Sequence, residues 1–153
     1  MRIIAHRGLI NGPDPQLENH PDTIEEAWAN DFDCEIDLWR VNGEWFLGHD
    51  EPTYKVPSYF LTLGRSWFHC KNYEALDWLV NHSRGVNFFW HQFDDYTLTS
   101  FGYIWAYPGK AVGDNAVLVV PAKDFSNATA KLNCFGVCTD HALMLDKMIK
   151  DSA

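Results

Sequence analysis

Apolar residues recur along this chain at two spacings. Strand-like runs lie at Arg2 to Ala5, Asp33 to Leu38, Trp45 to Leu47, Ser66 to Cys70, Val86 to Trp90, Tyr103 to Tyr107, Ala116 to Val120 and Phe135 to Cys138. Helical spacing is rarer. Thr23 and Glu26 form a capping box followed by Ile24, Ala27 and Trp28 on one face, and the pattern predicts an end near Asn30 and Asp31. Asn72 is placed to cap a second helix with an apolar stripe of Leu76, Leu79 and Val80. A third follows Asp140, with Leu145, Met148 and Ile149 on one side, and a weaker pattern predicts a fourth from Lys123 to Leu132. Asn42-Gly43, between Leu38-Trp39-Arg40-Val41 and Trp45-Phe46-Leu47, signals a two-residue hairpin.

Strand, helix, strand, hairpin, strand, helix, strand is the order of an α/β fold with parallel pairing through crossovers. Between His91 and Pro121 only turns separate the strand candidates, so that half is expected to lack outer helices. The 153 residues suit one domain spanning the whole chain, long enough to bury a sizeable core. No apolar run approaches the ~20 residues of a membrane span; the longest, Ala116 to Val120, suits a buried strand.

Charge narrows the function classes. A net charge of -9 argues against a general nucleic-acid binder and against a binder of anionic membranes, both of which need a cationic surface. A small anionic substrate remains compatible if Arg7, Lys71 and a metal ion supply local positive charge. The four cysteines show no disulfide or C-x-x-C spacing and read as buried thiols. Ile3-Ile4-Ala5 runs directly into His6-Arg7 without the long apolar stretch of a secretion signal, so a cytoplasmic setting is expected. Seven tryptophans raise the reading of a sugar-binding module, but Trp39, Trp67, Trp90 and Trp105 fall on strands and are expected mostly in the core.

The candidate chemistry sits at strand ends. In an extended strand Glu35 and Asp37 share one face while Cys34, Ile36 and Leu38 take the other, and two hard oxygen ligands on one face suit a divalent cation. His6 and His49 are the groups able to take and give a proton near neutrality. His69 and Lys71 share a face of a later strand, Gly8 and Gly48 read as backbone devices, and His91 and His141 read as packing or capping residues.

In order along the chain, His6-Arg7-Gly8, Glu18-Asn19, Glu35-Ile36-Asp37, His49-Asp50, His69-Cys70-Lys71 and Thr139-Asp140 resemble the motif series of the glycerophosphodiester phosphodiesterase family. The resemblance implies a TIM-type (β/α) barrel, here compact, with several outer helices shortened or missing because ordinary barrels take ~250 residues. It implies metal-dependent cleavage of a small phosphodiester at the carboxyl ends of the strands. His6 and His49 would be the acid and base, with Arg7 and Lys71 on the phosphate oxygens and one divalent metal on Glu35, Asp37 and His69. His69 stands where the family has a third carboxylate, which adds zinc to magnesium, calcium and manganese as candidates, and Asp94 or Asp95 is an alternative source of the oxygen. Two further readings are a lyase-type phospholipase that acts on a lysophospholipid or sphingophospholipid and stops at a cyclic phosphate, and a catalytically silent ligand-binding barrel.

Overall fold

A computed structural model describes residues 1–153. Its strands are β1 (Arg2–His6), β2 (Asp33–Val41), β3 (Glu44–Leu47), β4 (Tyr54–Val56), β5 (Ser66–Cys70), β6 (Asn87–Phe89), β7 (Tyr96–Leu98), β8 (Ile104–Ala106), β9 (Ala116–Val119) and β10 (Gly136–Thr139). The α-helices are α1 (Pro21–Ala29), α2 (Tyr73–His82) and α3 (Ala142–Ser152). All ten strands belong to one curled sheet. Its spine is parallel, in the order β6, β5, β2, β1, β10, β9, β8, with β3 and β4 extending the second half of β2 and β7 returning antiparallel to β8.

This corrects the expected TIM-type barrel. The sheet is a half-barrel in which helices follow only β1, β5 and β10, so alternation of strand and helix lapses over most of the chain. No strand ladder joins β6 to the β7–β8 hairpin. That seam is spanned by the Ser100 amide donating to the Phe88 carbonyl at 2.8 Å and the Thr97 hydroxyl donating to the Trp90 carbonyl at 2.9 Å. The predicted helix from Lys123 to Leu132 is instead two 3-10 turns, Ala122–Asp124 and Thr129–Lys131. The capping box is also not used: α1 starts earlier, with His20 as the cap accepting from the Asp22 amide. Pro21 sits in the first turn, where its missing N–H costs nothing. Asn72 does cap α2, its side chain accepting from the Ala75 amide.

Packing follows the strand alternation. Cys34, Ile36 and Leu38 are fully buried under α1 and α2 with Ile24 and Leu79, each of the aliphatic ones worth ~1.5–3 kcal/mol when removed from water. The concave face is filled by Ile4, Trp67, Phe89, Trp105, Val117 and Cys138. Trp90 lies outside this core at 36% exposure and Trp39 is half-buried. Asn42 and Gly43 both take left-handed backbone, as the two-residue hairpin requires. No helix is long and apolar enough to cross a membrane.

Candidate active site

Parallel pairing lines up the ends of β1, β2 and β5, because His6 is registered beside Glu35 and Asp37 beside His69. Alternation turns Glu35 and Asp37 away from the helices, and they are buried at 3% and 1% exposure. Both face one cleft at the carboxyl ends of the strands. Its cavity of about 200 Å³ has a charged wall of His6, Arg7, Glu35, Asp37, His49 and His69.

Asp37 is the most heavily partnered of these groups. Its Oδ2 accepts from Asn19 Nδ2 at 2.8 Å, its backbone N–H donates to Asn19 Oδ1 at 2.9 Å, and Arg7 Nε lies 3.4 Å from Oδ2. Lys71 Nζ and His69 Nδ1 approach Oδ1 at 3.8 and 3.2 Å. Burial alone would push the Asp37 pKa up, but His69, Arg7 and Lys71 hold it well below the usual carboxylate range. Glu35 is driven the other way by burial and by the Asp37 charge beside it. Its Oε2 accepts from the Arg7 amide at 3.2 Å.

His6 is clamped. Its Nδ1 lies 2.8 Å from Asp140 Oδ1 and its Nε2 faces Glu35 Oε2 at 3.9 Å. Burial lowers its pKa, but the Asp140 hydrogen bond and the Glu35 charge outweigh that, and the net shift is upward. Arg7 has left-handed backbone and its guanidinium donates to Glu18 at 2.8 Å, so part of its charge is already engaged. His49 Nδ1 contacts Asp50 Oδ1 at 2.8 Å, and its side chain is 35% exposed at the rim. The preceding Gly48 is needed for its backbone. It has φ +152, and a Cβ there would collide with the Glu51 carbonyl, while its own carbonyl accepts from Trp39 Nε1 at 2.6 Å.

The donor set fits a divalent cation. His69 Nε2 donates to the His91 carbonyl at 2.7 Å, and the ring stacks on Phe89 with centroids 5.1 Å apart. With Nε2 so engaged, a cation seated between Glu35 and Asp37 would take the Nδ1 lone pair in place of the proton that otherwise pairs with Asp37, the outer hydrogen-bonding pattern that orients metal-ligating histidines. Ligand atoms of Glu35, Asp37 and His69 all lie within 4.8 Å of one another.

No protein-family model, curated protein or solved structure matches this chain.

What the cleft can do is therefore carried by its own side chains. His6, Arg7, Glu35, Asp37, His49 and His69 line it together, and Lys71 stands behind Asp37. Asp94 and Asp95 do not join: Asp94 is exposed and outside the cavity lining, and Asp95 pairs with Lys110 at 2.9 Å. Sequence reasoning assigned no role to Asn19 or Asp140, although both stand in the quoted motifs, and missed Tyr107 entirely. Asn19 is fully buried with left-handed backbone, an arrangement asparagine tolerates better than most residues. Asn19→Ala should destabilise the protein by ~2–3 kcal/mol, since it leaves the Asp37 amide unpaired in a buried position. Urea unfolding checks this, and a loss below ~0.5 kcal/mol would mean that water replaces the amide at no cost.

Proposed function

We propose that this cleft binds one divalent cation on Glu35, Asp37 and His69 and cleaves a small phosphodiester, the activity suggested by the likeness to glycerophosphodiester phosphodiesterases. The observation that carries the reading is the convergence of two histidines, two buried carboxylates and an oriented imidazole on one cavity. Isolated acidic or histidine side chains have bland explanations, and it is their convergence on one cavity that favours a site.

When bound, the cation neutralises phosphate charge as a Lewis acid. Arg7 adds fixed positive charge beside the nonbridging oxygens, while Lys71, placed behind Asp37, acts on the phosphate only through the field of its charge. One histidine of the His6 and His49 pair takes the proton of the attacking substrate hydroxyl as its oxygen bonds to phosphorus. The other gives its proton to the departing alcohol oxygen as that P–O bond breaks. The products of this step are an alcohol and a cyclic phosphate, which water opens with the two roles exchanged. Asp140 holds His6 in the tautomer that presents Nε2 to the cavity. Four free thiols, three of them buried, support a reducing, cytoplasmic setting for the reaction.

The test is turnover of glycerophosphocholine and of glycerol 4-nitrophenyl phosphate, an activated diester that keeps the attacking hydroxyl, with manganese, magnesium, calcium or zinc added after chelation. Metal-dependent release of alcohol is expected, with phosphorus NMR separating a cyclic from an opened product. His69→Glu should shift the preferred metal toward magnesium or calcium, because it exchanges a borderline nitrogen ligand for a hard oxygen. An unchanged metal profile would put His69 outside the coordination sphere, and metal affinity without turnover on either diester would leave a binding site and no enzyme.

A further inference from the structure

Alternation along β2 puts Trp39 on the same face as Glu35 and Asp37. It is half-buried and stands outside the apolar core. Its one polar group is committed, because Nε1 donates to the Gly48 carbonyl at 2.6 Å. The Gly48 amide donates to the Asp37 carbonyl at 3.2 Å, so both polar groups of the residue before His49 are held by β2. Beyond Gly48 the connection to β4 gives His49 little support. No residue from His49 to Thr53 is buried, and the imidazole contacts only Asp50, whose side chain is 91% exposed. A pair in that much water fixes little. At the far end the Thr53 amide closes the loop on the Leu47 carbonyl at 2.9 Å.

We infer that Trp39 is a positioning residue: its indole N–H holds the Gly48 carbonyl and thereby keeps His49 at the cavity that Glu35 and Asp37 line. The inference rests on the phosphodiesterase reading, in which His49 moves a proton. A proton-transfer group must stay within hydrogen-bond reach of the oxygen it serves, and a displacement of about 1 Å costs on the order of 10²-fold. The strand that carries both carboxylates also carries the tether, so the cation donors and the imidazole share one rigid element. Packing alone does not account for Trp39, since its ring adds nothing to the core while its N–H makes a short bond to a loop carbonyl.

Trp39→Phe keeps an aromatic ring and removes the N–H. In the metal-free, substrate-free protein, hydrogen exchange followed by NMR should show the Gly48 amide exchanging about 3–10-fold faster, as loss of one hydrogen bond dictates, while amides of α2 exchange as in the parent. With manganese and glycerophosphocholine, kcat should fall about 10–100-fold and KM should change little. In a His49→Ala background the same substitution should cost nothing further, because a misplaced ring and an absent one are equivalent there. Gly48 exchange at the parent rate, or a rise shared by the whole core, overturns the inference. Parent kcat in Trp39→Phe overturns it too, as does a loss that persists in full without His49. Faster Gly48 exchange in a protein that turns over no diester supports the tether and sinks only the phosphodiesterase reading.

Discussion

Glu35→Gln and Asp37→Asn are expected to abolish divalent-cation binding alike, yet to move the stability of the metal-free protein in opposite directions. Each removes one of the two charged oxygen donors. In the metal-free protein their surroundings differ. Asp37 neutralises Arg7 and Lys71 and contacts His69, so its loss leaves buried positive charge without a partner and should cost ~3 kcal/mol. Glu35 is buried beside a like charge, and its Oε2 bond to the Arg7 amide survives in glutamine through the side-chain oxygen. Glu35→Gln should therefore leave stability unchanged or raise it by ~1 kcal/mol. Urea unfolding in a chelator and calorimetry with manganese measure the two effects. Retained manganese affinity in Glu35→Gln would remove the carboxylate pair from the metal centre, and equal destabilisation by both variants would show that charge partnership does not distinguish them.

Loss of either histidine should lower turnover by ~10²–10⁴-fold, with a smaller effect on binding. A 4-nitrophenolate leaving group needs little protonation, so an activated diester should tolerate loss of the general acid far better than loss of the base. The residue whose alanine variant recovers on the activated diester is thereby the acid. Asp140→Asn provides an internal check, because Asp140 touches His6 Nδ1 and does not line the cavity. It should reproduce the leaving-group pattern of His6→Ala at a reduced size, about 10–100-fold, and leave manganese affinity intact. The pH profile of the parent should be bell-shaped, since the reaction needs one neutral and one charged histidine. Wild-type rates in both alanine variants on natural and activated diesters would dismiss the two-histidine mechanism.

The local features were legible for a local reason. The period of two along Asp33 to Leu38 separates Glu35 and Asp37 from Cys34, Ile36 and Leu38 whatever lies around the strand, and the structure keeps that division. Asn42-Gly43 makes its turn because both residues accept left-handed backbone, and Asn72 caps α2 with an oxygen reaching three residues ahead. Competition between neighbours was less legible. Thr23 and Glu26 fit a capping box, but Pro21 starts the helix earlier and His20 supplies the cap. The three-residue strands β4 and β7 are too short for alternation to register, and they exist because a neighbouring strand offers its edge.

The half-barrel, rather than a closed ring of strand and helix units, was a matter of crossovers. With helices after only three strands, the β6 seam meets the β7–β8 hairpin through side-chain and loop contacts instead of a ladder. The composition of the cleft followed the same division. Residue type and strand period singled out His6, Glu35, Asp37 and His49, because the chemistry of each side chain and the face it takes are local properties, whereas the roles of Arg7, Lys71 and His69 came from the resemblance of the motif series. The clamp of Asp140 on His6 crosses 134 positions, Asn19 reaches Asp37 across 18, and Trp105 and Tyr107 line the same cavity as His6 and Glu35 from the other half of the chain. Such contacts depend on which strands pair and how far the sheet curls, energies summed over the whole core, and no short window of residues carries them.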